Sequence, residues 1–243
     1  MTVKSYKLNN GTFMPEVGLG TWRGNDDGAL VQTVKTAIEL GYRHIDCAPY
    51  YANQRDIGKA LKEIQVPRED LFIVSKLQLD YLDMLLMHWP FAVKPEVGFT
   101  EDYGAEDIEN VPNGHMEGDG SLEQELVEFC KDNNIVVTAY CPLGGYEVNV
   151  MDDELLKRIA DAHSCTPAQV ALSWERARGI VVIPKSTNPI CLKQNLEEFV
   201  ALTPDEMRMI GNIKRFERNC DPGHDFKELN WVFYPEEAEC PVV

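Results

Sequence analysis

Four side chains able to move or orient a proton recur at matching points of the local pattern. Asp46 lies near the end of a short segment, Arg43 to Ala48, and Tyr51 follows in the next loop. Lys76 comes directly after Leu71-Phe-Ile-Val-Ser75, and His88 directly after Leu82-Asp-Met-Leu-Leu-Met87. Tyrosine and lysine both titrate near pH ~10 in water. A lysine cation beside a phenol favours the phenolate, and an aspartate beside that lysine keeps it in place. Such a group makes Tyr51 a usable general acid near neutral pH, with His88 free to orient a substrate oxygen. Singly, each residue has a plainer reading: a turn aspartate, a solvated lysine, a satisfied core histidine. Together they fall at the ends of successive strands, or just beyond, which is where a barrel of parallel strands gathers its catalytic groups.

The surrounding elements must deliver those ends. Residues 3–14 read as a polar hairpin turning at Asn10-Gly11, a pair suited to a type I′ turn. Glu16 to Gly20 reads as a strand, with Thr21-Trp22 opening a loop. Asp26 or Asp27 is expected to cap a helix whose Leu30, Val34, Ala37 and Ile38 share a face and which Gly41 ends. A second helix over 54–63 carries Ile57, Ala60 and Leu61 at helical spacing. The order strand, helix, strand, helix, strand implies a parallel α/β sheet. The pattern then breaks, since only Leu77 to Tyr81 separate Lys76 from the strand ending at His88. A parallel crossover takes a dozen residues or more, so either the two strands form a hairpin or a crossover helix is missing.

Further on, 91–120 is acidic and aperiodic and reads as a surface loop. Leu122, Leu126, Phe129 and Cys130 give the next helical face, and Ile135 to Tyr140 the next strand. Helices are expected over 152–163, from Thr166-Pro167, from Asn188-Pro189, and from Thr203 with capping-box spacing to Glu206. Gly179 to Pro184 reads as a short apolar strand, and the tail after Phe216 has no period.

The totals narrow the class. The 243 residues, 44% hydrophobic and 26% charged, suit one soluble domain spanning 1–243. A net charge of −17 argues against nucleic acid and anionic membranes as partners. Seven scattered cysteines without a Cys-x-x-Cys pair suit reduced thiols, and no segment reads as a leader or a bilayer span, so a cytoplasmic protein is expected; a monomer is expected as well, though nothing in the sequence itself sets the oligomeric state.

Six segments in order resemble the aldo-keto reductase family: Gly18-Leu-Gly-Thr-Trp22, Gly41-Tyr-Arg-His-Ile-Asp46 with Tyr51, Ser75-Lys76, Leu82-Asp83 to His88-Trp89-Pro90, Thr138-Ala-Tyr-Cys-Pro-Leu-Gly144 and Ile183-Pro-Lys-Ser186. The resemblance implies a TIM-type (β/α)8 barrel that reduces small aldehydes and ketones with NADPH and has no metal. It gives Asp46, Tyr51, Lys76 and His88 the catalytic roles, and makes Trp22 and Trp89 walls of the substrate pocket. It implies cofactor contacts from Thr21, Tyr140 and Leu143, and a 2′-phosphate site at Lys185, Ser186 and Asn195.

The departures are as specific. Cys191 stands where the family usually has arginine, Cys141 where it has serine, and Gln54 where it commonly has glutamate. No segment matches the fifth and sixth barrel strands, so the residues that grip the nicotinamide amide in the family are not found. The chain reads as a member with internal blocks removed and about six strands. Two alternatives to an active reductase stand at this point: a non-catalytic cofactor-binding or structural member, and an inactive truncated isoform.

Overall fold

The computed structural model describes residues 4–24, 28–76, 84–86, 92–93, 108–109, 127–144, 150–197 and 200–213. Strand β1 (Ser5–Lys7) pairs antiparallel with β2 (Phe13–Pro15), closed by Leu8 N donating to Thr12 O at 2.8 Å. The connection is a wider loop than a type I′ turn. Gly11 has φ 88, but Asn10 does not share the left-handed conformation that such a turn needs at both centres. Asn10 instead accepts from the Thr12 amide through its side chain.

Strand β3 (Leu19–Gly20) pairs with β4 (His44–Asp46), β4 with β5 (Phe72–Lys76), and β5 with β6 (Met84–Leu86), all parallel. Strand β9 (Thr138–Ala139) pairs parallel with β10 (Val181–Val182). The two sets join where Val17 bridges Val182 and Gly18 N donates to Val182 O at 2.9 Å. The parallel order is therefore β9-β10-β3-β4-β5-β6. Among the described residues no pairing joins β6 to β9, so the wall is an incomplete barrel of six strands. A separate antiparallel pair, β7 (Ala92–Val93) with β8 (Ile108–Glu109), lies within the segment 91–120 expected as a surface loop, most of which lies outside the described residues.

The short link after Lys76 resolves as a parallel neighbour, not a hairpin: Val74 faces Met84 and Lys76 faces Leu86. Because β6 is only three residues long, the chain need return only about 7 Å along the strand and about 5 Å sideways. Seven residues of chain, at up to roughly 3.3 Å each, can span more than that distance; residues 77–83 themselves lie outside the described residues.

Alternation along the strands sorts two buried faces. Ile73 packs outward with Val17, Leu19, Ile45 and Val182 against helix residues, whereas Phe72, Val74 and Val181 pack inward with Met14 and the half-buried Tyr6 and Leu8 of the hairpin. Both faces are buried, which explains the apolar run Leu71-Phe-Ile-Val74 that leads through β5 to Ser75 and Lys76. The outer layer is α1 (Ala29–Leu40), with Leu30, Val34, Ala37 and Ile38 buried, and α2 (Gln54–Glu63), with Ile57 and Ala60 buried. It continues with α3 (127–132), α4 (Glu154–His163), α5 (Pro167–Ala177), α6 (Pro189–Leu196) and α7 (Pro204–Gly211). Burial of these stripes dominates helix stability, since helices of 8–12 residues are marginal alone.

The expected caps on α5, α6 and α7 form. Thr166 and Thr203 make capping boxes with Gln169 and Glu206, and Asn188 accepts from Ile190 N. Helix α1 differs: its N-cap is Gly28 at φ 82, with no side-chain bond, and not an aspartate. Of the apolar face expected on α3, Leu122 and Leu126 lie outside the described residues, Cys130 is half-buried and Phe129 is 60% exposed, while the neighbouring Val127 is buried. Ile135 is also exposed, and the strand there shortens to Thr138–Ala139. Two distant ties brace the wall: Tyr42 Oη donates to Leu192 O at 2.9 Å, and Arg176 pairs with Glu16. The described cysteines, Cys47, Cys130, Cys141, Cys165 and Cys191, are all free thiols.

Candidate active site

Asp46 and Lys76 close the C-terminal ends of adjacent strands β4 and β5, and parallel pairing puts their side chains at one rim. Lys76 Nζ lies 2.7 Å from each oxygen of Asp46 and donates to Cys47 O at 2.9 Å. Both side chains are buried. Burial pushes the Asp46 carboxyl above the usual carboxylate range, and the charge and hydrogen bond of Lys76 pull it back. Such a pair is costly to desolvate and is retained only with near-complete hydrogen bonding, which Cys47 O helps provide.

Tyr51 ends a single 3-10 turn, Pro49–Tyr51, whose first proline presets the backbone. Lys76 Nζ reaches Tyr51 Oη at 3.3 Å and sits 5.0 Å from its ring centre. One ammonium therefore touches both a carboxylate and a phenol. Asp46, Tyr51 and Lys76 come together at the rim, whereas His88 and Trp89 lie outside the described residues.

The supporting shell was less visible in the sequence. Thr21 Oγ1 donates to Asp46 O at 2.8 Å, and Asn53 Nδ2 donates to Thr21 O at 2.7 Å. Gln54, at the first turn of α2, donates to Ser75 Oγ at 2.8 Å and ties that helix to β5. Cys47 and Asn53 are the residues that sequence reasoning missed. The signal for Asn53 was its position at the start of a helix, which alone suggested only a cap. The Cys47 thiol is pushed up to about 12 by burial first and by Asp46 second, so it is an inert neighbour whose carbonyl does the work.

Trp22 is half-buried, with the Arg23 guanidinium 4.8 Å from its ring. Tyr140 follows β9 and is 59% exposed, and Leu143 is half-buried where the α1–α2 and α4–α5 clusters meet. Lys185 is exposed just beyond β10, and Ser186 Oγ accepts from Asn188 N at 3.1 Å, at the N-terminal end of α6. A flexible cation next to a helix N-terminus suits a phosphate. Asn195 is elsewhere on that helix, 3% exposed and about 10 Å along the axis from Asn188. Cys141, in the serine's place, has φ 47 and a thiol raised by partial burial and by Asp46.

A model of the Aldo/keto reductase family matches residues 16–78 and 121–215. The chain belongs to the aldo/keto reductase family. It is 33% identical to a 9,11-endoperoxide prostaglandin H2 reductase from Trypanosoma cruzi, over 90% of this chain and 95% of that protein. It is 32% identical to an aldo-keto reductase family 1 member A1-A from Danio rerio, over 87% and 90% respectively. Its fold resembles that of the aldose reductase from Schistosoma japonicum, with a TM-score of 0.79 and 27% identity over 97% of this chain and all of that one. The sequence alignments run over 272 and 292 positions, more than the 243 residues here, so this aldo-keto reductase lacks positions its relatives have. The unmatched block 79–120 contains His88 and Trp89.

Proposed function

We propose that this chain reduces small aldehydes and ketones, with Tyr51 as proton donor and NADPH as the partner. The observation that carries the reading is the single ammonium of Lys76 held between Asp46 and Tyr51 Oη. When bound, the dinucleotide supplies hydride. The chain's own residues do the rest. A substrate carbonyl oxygen near Tyr51 Oη would take the phenolic proton as negative charge develops on it. The phenolate left behind is stabilised by Lys76, whose charge is balanced in a dry site by Asp46. His88 is assigned the orienting hydrogen bond to the same oxygen, and Trp22 and Trp89 the pocket walls.

Two features of the described residues support the dinucleotide. Lys185 and the α6 N-terminus suit its 2′-phosphate, and the exposed Tyr140 ring suits stacking on its nicotinamide. Thr21, Leu143, Ser186 and Asn195 complete the proposed cofactor contacts.

Mixing the protein with NADPH and an aromatic aldehyde tests this directly. Loss of nicotinamide absorbance is expected, and Tyr51→Phe should slow it by about 10²–10⁴-fold, the range for one general acid. Absence of Tyr51-dependent turnover sinks the reading. A second reading, a cofactor-binding member without turnover, is favoured by one observation: the family match leaves out the block 79–120, which contains His88. Quenching of tryptophan fluorescence by NADPH without aldehyde reduction would select it.

A further inference from the structure

The turn that bears Tyr51 breaks two local rules in succession. Ala52 adopts φ 51, a left-handed conformation that residues with a Cβ rarely take. Asn53 then occupies the N-cap of α2, where an asparagine oxygen ordinarily accepts from the second or third helix amide. Its side chain makes no such bond. Instead it points inward, 2% exposed, with Nδ2 on Thr21 O and with Oδ1 buried and unpartnered among the described residues. Forgoing a cap and stranding a buried acceptor both cost stability. Where a sequence breaks local rules without local gain, the compensation lies in function.

The compensation here is a closed circuit. Asn53 holds Thr21 O; Thr21 Oγ1 holds Asp46 O; Asp46 holds Lys76; Lys76 touches Tyr51; and Tyr51 lies two residues before Asn53. The inward amide thus locks the Tyr51 turn to the strand ends that carry its partners. We propose that Asn53 is a positioning residue, whose amide keeps the Tyr51 hydroxyl within reach of Lys76 at the expense of capping α2. This rests on the reading of Tyr51 as proton donor.

Two substitutions separate positioning from mere structure. Asn53→Asp keeps the shape and caps well but cannot donate to Thr21 O; Asn53→Ser caps well but is too short to reach it. The gained cap offsets part of the cost of leaving Thr21 O without its donor, so Tm should fall little while kcat falls about a hundredfold with KM little changed, the loss expected for about 1 Å of misplacement. Asn53→Gln, which keeps an amide donor, should recover part of the rate. A readout independent of cofactor is the tyrosinate absorbance of Tyr51, taken as wild type minus Tyr51→Phe, which should move to higher pH in both capping variants. Unchanged kcat and an unchanged tyrosinate titration in both overturn the proposal. So does a fall in Tm that accounts for the lost rate, since that is the mark of a structural role. If Tyr51→Phe turns over like wild type, the proton-donor reading fails first, and the tyrosinate titration alone decides the role of Asn53.

Discussion

Arg176 Nη2 donates to Glu16 Oε1 at 2.6 Å, both side chains buried, although 160 residues separate them. The same guanidinium donates to Glu197 O at 3.0 Å, so it fastens α5 to the segment entering β3 and to the end of α6. Removing one partner strands a buried charge. Arg176→Met or Glu16→Leu alone should therefore cost about 3–5 kcal/mol, while the double replacement should recover most of that loss. Urea denaturation of the three variants reads the coupling as a double-mutant cycle.

The same logic at the rim predicts a two-part phenotype for Asp46→Asn. Lys76 would keep a hydrogen-bond partner but lose its counter-charge in a buried site. A loss of roughly 3–5 kcal/mol in stability should accompany a fall in aldehyde reduction. Lys76→Met should lower activity as far as Asp46→Asn or further, because it removes the group that touches Tyr51. Denaturation and steady-state kinetics on both variants check the pair.

Acid should weaken the fold through His44. Its ring is fully buried, Nδ1 donates to Pro15 O at 3.1 Å, and Nε2 has no partner among the described residues. Burial lowers its pKa to about 4, with nearby Lys76 adding to the fall. The unfolded chain therefore binds the proton that the folded chain refuses. This contribution is complete above pH ~6.5 and is lost as pH falls through that window, by about 3 kcal/mol at and below pH ~4. Urea midpoints measured from pH 7 to 4 should drop accordingly, and His44→Phe should flatten part of that slope. Cys47 acts at the other end. With its thiol near 12 in the fold and ~8.5 unfolded, stability should decline again as pH rises above about 9.

Two glycines of the first motif are predicted to resist even alanine. A Cβ on Gly18 would stand 2.6 Å from the His44 ring, and one on Gly20 would stand 2.5 Å from the backbone oxygen of Ile183. Neither neighbour can swing away, since one is a fully buried ring and the other is main chain. Each substitution should cost about 1–3 kcal/mol or more, with Gly20→Ala the worse because it pushes β10 off β3. Thermal unfolding of both variants tests the order.

What could be read in advance follows from range. The caps at Thr166, Asn188 and Thr203 were legible because a cap is decided within four residues. The rim positions of Asp46 and Lys76 were legible because strand ends follow from local signals, the glycine stop at Gly41 before one strand and the short apolar run Leu71 to Val74 in the other. The parallel setting of β5 and β6 was not, because it depends on how short β6 is and not on the link alone. The cap of α1 misled, since two aspartates nearby outweighed Gly28 at φ 82. Phe129 misled likewise, because periodicity finds an apolar face without saying which part of it has a neighbour. The Asn53 amide and the Glu16–Arg176 pair were hidden for one reason: each is a partner choice made in space, over 32 and 160 residues.

Because Val17 bridges Val182, the middle of the sheet is assembled from the two parallel strands farthest apart in the chain, β3 and β10. During synthesis, β3, β4 and β5 leave the ribosome well before β10 exists to cover their flank. At roughly 5–20 residues per second, the nascent chain waits on the order of ten seconds with that border open. A chaperone that shields apolar strand borders should therefore affect the yield of this protein more than a mutation on its finished surface.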